Sequence, residues 1–398
     1  MPPTLRHGRP QVAIPGPSIV PDRVLAAMHR PMPNIYDGPL IDVSNSLFAD
    51  LPSIARTDGE VFVVIGNGHA AWQMAVSNTV RRGDRILVLE SGTFAVIWGQ
   101  QAAISGADVE VLPGTDDGPV DPAAVEERLR ADNDHTIRSV LVVLADTATG
   151  VRNDIAAIRR AIDAAGHPAL LMVDAIASLG CDRFEMDEWG VDVTVAASQK
   201  GLMCPPGLGF VWANDKALAA HERADARVGY LDWDSRRNVE AHYQLYNGTP
   251  PIPMIYALRE ALDMIDEEGI ENVWRRHAVL ARSVWAAVDA WHTDGGLRCN
   301  ITDEAARSHA VTTIRTGTVD ATALREICER EMGLTLGLGI GSDGARFRIG
   351  HMGHLNPPML LGTLATIEAA LHSLGAPTGG SGVAAAARVI GGALADAG

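Results

Sequence analysis

The chain has 398 residues, 47% of them hydrophobic, enough to bury a large core divided between a large and a small domain. A formal net charge of −16 with a pI near 5.2 excludes general attraction to nucleic acid or to an anionic membrane, while leaving room for a local basic pocket that takes a small anion. Four scattered cysteines, Cys181, Cys204, Cys299 and Cys328, lack CxxC or Cys/His metal spacing, so reduced thiols in a cytoplasmic protein are expected and a metal site is not.

The first fifty residues carry Pro10, Pro15, Pro17, Pro21, Pro31, Pro33 and Pro39, which predicts an extended arm docked on the rest. The opening stretch lacks the apolar core of a signal peptide, and no run reaches the length of a membrane span; a soluble, cytoplasmic protein is expected. Between residues 60 and 215, apolar runs at 61–65, 85–89, 139–145, 170–173, 193–197 and 209–212 read as buried strands. Helical patterns at 70–80, 122–131 and 154–165 lie between them, which predicts an α/β domain with a mostly parallel sheet covered on both faces. A loop-rich stretch, 224–253, is too long for a mere connector. A helical region over 254–291, interrupted near Gly269, then leads into a smaller mixed domain. That domain is read as a strand at 310–315, a helix at 321–332, a strand at 346–349 and a helix at 358–374, with a short helix at 383–394 in the Gly/Ser/Ala-rich tail. The expected division is an arm over 1–50, a large domain over 51–255 and a small C-terminal domain with its linking helix over 256–398.

Two of these strands end on chemistry. The run 193–197 opens into Ser198-Gln199-Lys200, and the run 170–173 ends on Asp174, so an amine and a carboxylate stand just beyond strands, where an open parallel sheet presents its ligands. Taken alone, each is more readily a surface lysine or a helix-capping aspartate. Together they suit pyridoxal phosphate: the amine forms the Schiff base and the carboxylate keeps the pyridine nitrogen protonated. Gly66-Asn67-Gly68-His69 follows another strand and opens a helix, whose N–H groups favour a phosphate. Phe94, in Gly92-Thr93-Phe94, is placed to stack on a flat ring, and Thr147 in Asp146-Thr147-Ala148-Thr149-Gly150 either bonds a ring oxygen or makes a plain polar turn.

The motifs IPGPSIVP (14–21), GNGH (66–69), DTATGV (146–151), VDAIASLG (173–180), SQKGLMCPPGLG (198–209), YNGTPP (246–251) and RIGHMG (348–353), in this order over nearly the whole chain, resemble the fold-type I, class V aminotransferases. The alanine-, serine- or aspartate-glyoxylate subgroup is the nearest likeness, with pyridoxamine–pyruvate transaminase a near relative. The resemblance implies a pyridoxal 5'-phosphate enzyme with Lys200 as the cofactor lysine and Asp174 as the pyridinium partner. It further implies Phe94 stacked on the ring, Thr147 at the ring oxygen and Ile176 among the cofactor-binding residues. Asn67, Gly68, His69 and Gln199 would hold the phosphate, joined by Tyr246 and Thr249 from the other subunit of a homodimer. Gly16 and Arg348 would meet the substrate, Arg348 gripping its carboxylate with both prongs of the guanidinium. Asn67 stands where many members have serine, and Phe94 where tryptophan is common; an amide still bonds phosphate and a phenyl still stacks.

The implied reaction moves an amino group from a small amino acid such as alanine, serine or aspartate to a 2-oxo acid such as glyoxylate or pyruvate, by two half-reactions. Pyridoxamine–pyruvate transaminase is the alternative, because Tyr36-Asp37 and RIGHMG look somewhat like that enzyme. A lyase or desulfurase would need a mobile thiol, whereas Cys328 falls in a helical pattern that suits a buried one. A non-catalytic binding protein on the same fold is a further reading. Arg346 shares a strand face with Arg348, as an extra anion contact or a solvated charge.

Overall fold

The computed structural model describes residues 4–341 and 344–395; the outer ends of the expected arm and of the C-terminal segment, and positions 342–343 within that segment, lie outside the described residues. Strand alternation organises the large core. In Ile137–Val143, Val140 and Val142 pack with Leu171 and Val173 on one face of the sheet, while Leu141 and Val143 join Met172 on the other. Both faces are therefore apolar and both are covered. Helices Pro39–Ala55, Pro122–Arg130, Ile155–Ala164 and Ile252–Glu268 contribute to the first cluster, and Gly68–Thr79, Thr93–Ile104 and Asp215–His221 to the second.

The central sheet has seven strands in the order Glu60–Gly66, Gly207–Ala213, Val193–Ala197, Leu170–Asp174, Ile137–Val143, Arg85–Leu89 and Asp108–Leu112. Gly207–Ala213 runs antiparallel to both its neighbours, and every other adjacent pair is parallel. Six of the seven strands thus point the same way. A second sheet of five strands, ordered Gln11–Ala13, Leu334–Leu338, Arg346–Gly350, Val311–Arg315 and Arg298–Cys299, packs on helices Ala321–Met332, Pro357–Ser373 and the later part of Ile270–Trp291 around its own core. Among the described residues, no helix is long and apolar enough to cross a membrane.

The extended arm is corrected. Residues 11–13 form an edge strand of the second sheet, and Asp22–Met28 and Pro39–Ala55 are helices, the latter burying Leu40, Leu47 and Leu51. The prolines misled because Pro39 occupies the first helical turn, where its missing N–H costs nothing. Among the elements without a sequence expectation are the strands Asp108–Leu112, Arg298–Cys299 and Leu334–Leu338 and the helices Thr93–Ile104 and Asp215–His221. The stretch 224–253 contains three short 3-10 turns, Gly229–Leu231, Asp234–Arg236 and His242–Tyr246.

Asp182 fastens the first sheet's loops to the second sheet. Its buried carboxylate accepts from Ser308 Oγ at 3.0 Å and from the His309 backbone N–H at 3.0 Å, just before the strand Val311–Arg315. Asp182→Ala leaves buried donors unpaired and is expected to lower stability by about 1–3 kcal/mol in thermal unfolding, with Asp182→Asn losing less because it keeps one acceptor. An unchanged melting temperature in the alanine variant would show that this bond carries no stability.

Candidate active site

Because the strands are parallel, the loops after Glu60–Gly66, Arg85–Leu89, Ile137–Val143, Leu170–Asp174 and Val193–Ala197 all emerge at one edge of the sheet. Those loops carry Asn67 and Gly68, Phe94, Asp146 and Thr147, Asp174, and Lys200. The reversed strand begins at the same edge, with Gly207 paired to Gly66.

Asp174 is fully enclosed and accepts two hydrogen bonds, from Trp72 Nε1 at 2.8 Å and from the Ile176 N–H at 2.6 Å. Burial outweighs those bonds and pushes the carboxyl up to about 7. Lys200 is shifted the opposite way, to about 8, first by burial and then by the positive charge of Arg348, with Asp174 opposing. Its Nζ donates to the Pro15 carbonyl, and Ser18 Oγ bonds the Lys200 carbonyl at 2.8 Å. Gly16 lies directly over the amine: at φ +105° it occupies left-handed backbone, and a Cβ there would fall 2.1 Å from Nζ. Residues 15–18 of the arm therefore roof the lysine.

Arg348 comes from the second sheet. Its Nη1 donates to the Thr147 carbonyl at 2.8 Å and its Nε to Leu338 O, and it makes no ion pair among the described residues. Burial without a bonded acid pushes the guanidinium down to about 10, although Asp146 opposes the shift. Asp146, also buried, receives the backbone N–H groups of Phe94 at 2.9 Å, Ala95 at 3.3 Å and Ala148 at 2.9 Å, so one carboxylate caps the helix Thr93–Ile104 and fixes the Thr147 turn. Burial holds its pKa up. Phe94 packs on the cluster containing Trp72 and Trp98. Arg346 is spoken for: it pairs with Asp116, which also takes Arg315 at 3.1 Å.

At the phosphate end, Asn67 is the N-cap of Gly68–Thr79, its side chain accepting from the His69 N–H at 3.0 Å. Gly68 lets the helix start close to the sheet, since a Cβ there would come 2.4 Å from Ile176 Cδ1. The His69 ring lies 4.6 Å from that of Trp72, and Gln199 Oε1 is buried without a partner. Trp72 and Asp146 had no sequence expectation as site residues. Trp72 lies four positions, one helical turn, beyond Gly68, and that spacing was the available signal.

A model of the aminotransferase class-V family matches residues 53–346. The chain is 42% identical over 394 residues to the serine–glyoxylate aminotransferase of Methylorubrum extorquens, covering 96% of each, and 38% identical over 391 residues to the L-aspartate–glyoxylate aminotransferase of Paracoccus denitrificans, covering 94% of each. The chain belongs to the class-V aminotransferases. Among solved structures, this aminotransferase is similar to pyridoxamine-pyruvate aminotransferase from Mesorhizobium loti, with a TM-score of 0.88 and 27% identity over 97% of this chain and 98% of that one. Ureidoglycine-glyoxylate aminotransferase from Bacillus subtilis gives a TM-score of 0.87 and 25% identity over 97% and 99%. The protein is thus a transaminase, and its cofactor is pyridoxal 5'-phosphate. The edge fits that group chemically: a buried amine and a buried carboxylate of opposed shift, an orphaned polar atom on Gln199, a helix N-terminus, and glycines where side chains would block the space.

Tyr246 and Thr249 stand apart from this aminotransferase's cluster. The Tyr246 phenol is buried in its own chain and bonded to Ser44 on helix Pro39–Ala55, and Thr249 is exposed. Packing against Phe48, with an edge-to-face ring distance of 5.8 Å, favours the inward pose. Tyr246→Phe should therefore cost about 0.5–1.5 kcal/mol of stability in thermal unfolding with little change in cofactor affinity. Weakened cofactor binding at unchanged stability would instead support the shared-cup role.

Proposed function

We propose that this protein transfers the amino group of a small amino acid, serine, aspartate or alanine, to a small 2-oxo acid such as glyoxylate or pyruvate, in two half-reactions at one site. The observation that carries this reading is the guanidinium of Arg348, buried beside Lys200 with no acid bonded to it. A buried cation without a bonded counter-ion is costly unless a ligand supplies one. Donor and acceptor both bring a carboxylate next to the reacting carbon, and the planar fork matches it. The named activities of the relatives support these donors and glyoxylate as acceptor. The close roof at Gly16 suits small substrates.

Pyridoxal phosphate supplies a carbonyl that takes up amino groups and a ring that spreads the electron pair left on carbon. Lys200 Nζ, with its pKa near 8, is partly neutral at physiological pH and serves to take a proton from the substrate carbon and return it. Pro15 O and the Ser18 bond orient that amine. The Asp174 carboxylate, held by Trp72 and Ile176, would keep the nitrogen of the cofactor ring protonated. Asn67, Gly68, His69 and Gln199 would hold the phosphate, Phe94 and Ile176 would flank the ring, and Thr147 would meet its oxygen.

We read the protein as a cytoplasmic homodimer, with the exposed Thr249 offered to the partner's phosphate group. The alternative, transfer from pyridoxamine to pyruvate, is supported by the likeness to the Mesorhizobium loti structure. Single-turnover kinetics test the reading. Arg348→Lys should weaken the amino-acid and 2-oxo-acid half-reactions together, by about 1.5–3 kcal/mol each, and Arg348→Ala by more. Wild-type efficiency in Arg348→Ala would place the carboxylate elsewhere. A donor panel including pyridoxamine separates the two readings: turnover of pyridoxamine but of no amino acid would overturn the first.

A further inference from the structure

On the side of the sheet away from Lys200, the strands Ile137–Val143 and Leu170–Asp174 begin at the floor of a cavity of about 320 Å³. Ile137 and Leu170 belong to the floor, and Arg81, Arg138, Lys216 and Arg223 line the same space. This is unexpected in a chain with 49 acidic and 33 basic residues, where an average lining would be acidic. One carboxylate shares the lining: Asp84, whose Oδ2 already accepts the Arg81 backbone N–H at 2.9 Å. Lys216 is committed to Asp192 at 3.1 Å and to the Ala169 carbonyl at 2.9 Å. The guanidinium groups of Arg81, Arg138 and Arg223 have no ion-pair partner among the described residues.

We propose that this cavity is a binding site for a small phosphorylated metabolite bearing at least two negative charges. Three arginines line this one space, a guanidinium fork suits phosphate oxygens in two-pronged fashion, and a monovalent anion would leave most of that charge unused. The apolar floor takes the organic part, and the volume falls at the lower end of small-molecule sites, roughly 300–1,000 Å³. The site is separate from the catalytic one: Leu170 and Asp174 are opposite ends of one strand, about 13 Å apart.

Isothermal titration of the cofactor-saturated enzyme with magnesium-free ADP at low ionic strength tests the assignment, since the bound cofactor already fills the catalytic phosphate position. Saturable binding of one ADP per chain is expected, tighter than that of inorganic pyrophosphate because of the apolar floor. An Arg138→Ala/Arg223→Ala variant should bind ADP at least about tenfold more weakly, with transaminase turnover and thermal midpoint unchanged, as both side chains are exposed and outside the catalytic cluster. Absence of saturable ADP binding, or equal affinity in the double variant, would overturn the proposal. Tighter binding of pyrophosphate than of ADP would contradict the role given to the floor.

Discussion

Burying an amine and a carboxylate at one sheet edge is the constraint around which this molecule is arranged, because either group alone would resist ionising there. Burial lifts Asp174 to about 7 and lowers Lys200 to about 8. Such opposed shifts mark groups prepared for chemistry rather than for stability. The surroundings narrow the penalty without removing it. Trp72 and the Ile176 N–H stabilise the carboxylate, Pro15 O receives the amine, and Arg348 pushes the amine toward its neutral form.

That arrangement needs three parts of the chain at once. The first sheet delivers Asp174 and Lys200, the arm lays residues 15–18 over the amine, and the second sheet delivers Arg348 through its bond to the Thr147 carbonyl. Asp146 ties two of the loops together by holding the helix that bears Phe94 and the turn that bears Thr147. Asp182 anchors the second sheet from a different loop. The carboxylate grip and the proton-moving amine therefore come from different cores, and their relative position depends on these few polar links.

Much of this was legible because the interior strands are buried on both faces and read as unbroken apolar runs: Leu171 to Val173 and Val193 to Ala197 announce themselves. Asp108–Leu112 escaped because it is an edge strand with charged Asp108 and Glu110 among its valines, Asp108 exposed and Glu110 half-buried and bonded to Arg128. Thr93–Ile104 escaped because it is apolar around most of its circumference and its cap is Asp146, remote in sequence. Trp72 was invisible as a site residue for a similar reason, since its role depends on a strand 102 positions away. The arm misled because proline breaks a helix interior but suits its first turn, and sequence alone did not say which applied to Pro39. Arg346 could not be judged until Asp116 was seen to hold it.

The chain's composition makes its central claim unusually direct to test, because it contains two lysines, Lys200 and Lys216. Lys216 lies away from the catalytic edge, bonded to Ala169 O and Asp192. Treating the cofactor-loaded enzyme with borohydride, digesting it and mapping the peptides by mass should find the cofactor fixed to the Lys200 peptide alone. Fixation on Lys216 or on the terminal amine, or no fixation anywhere, would contradict the assignment of Lys200 as the residue on which this site is built.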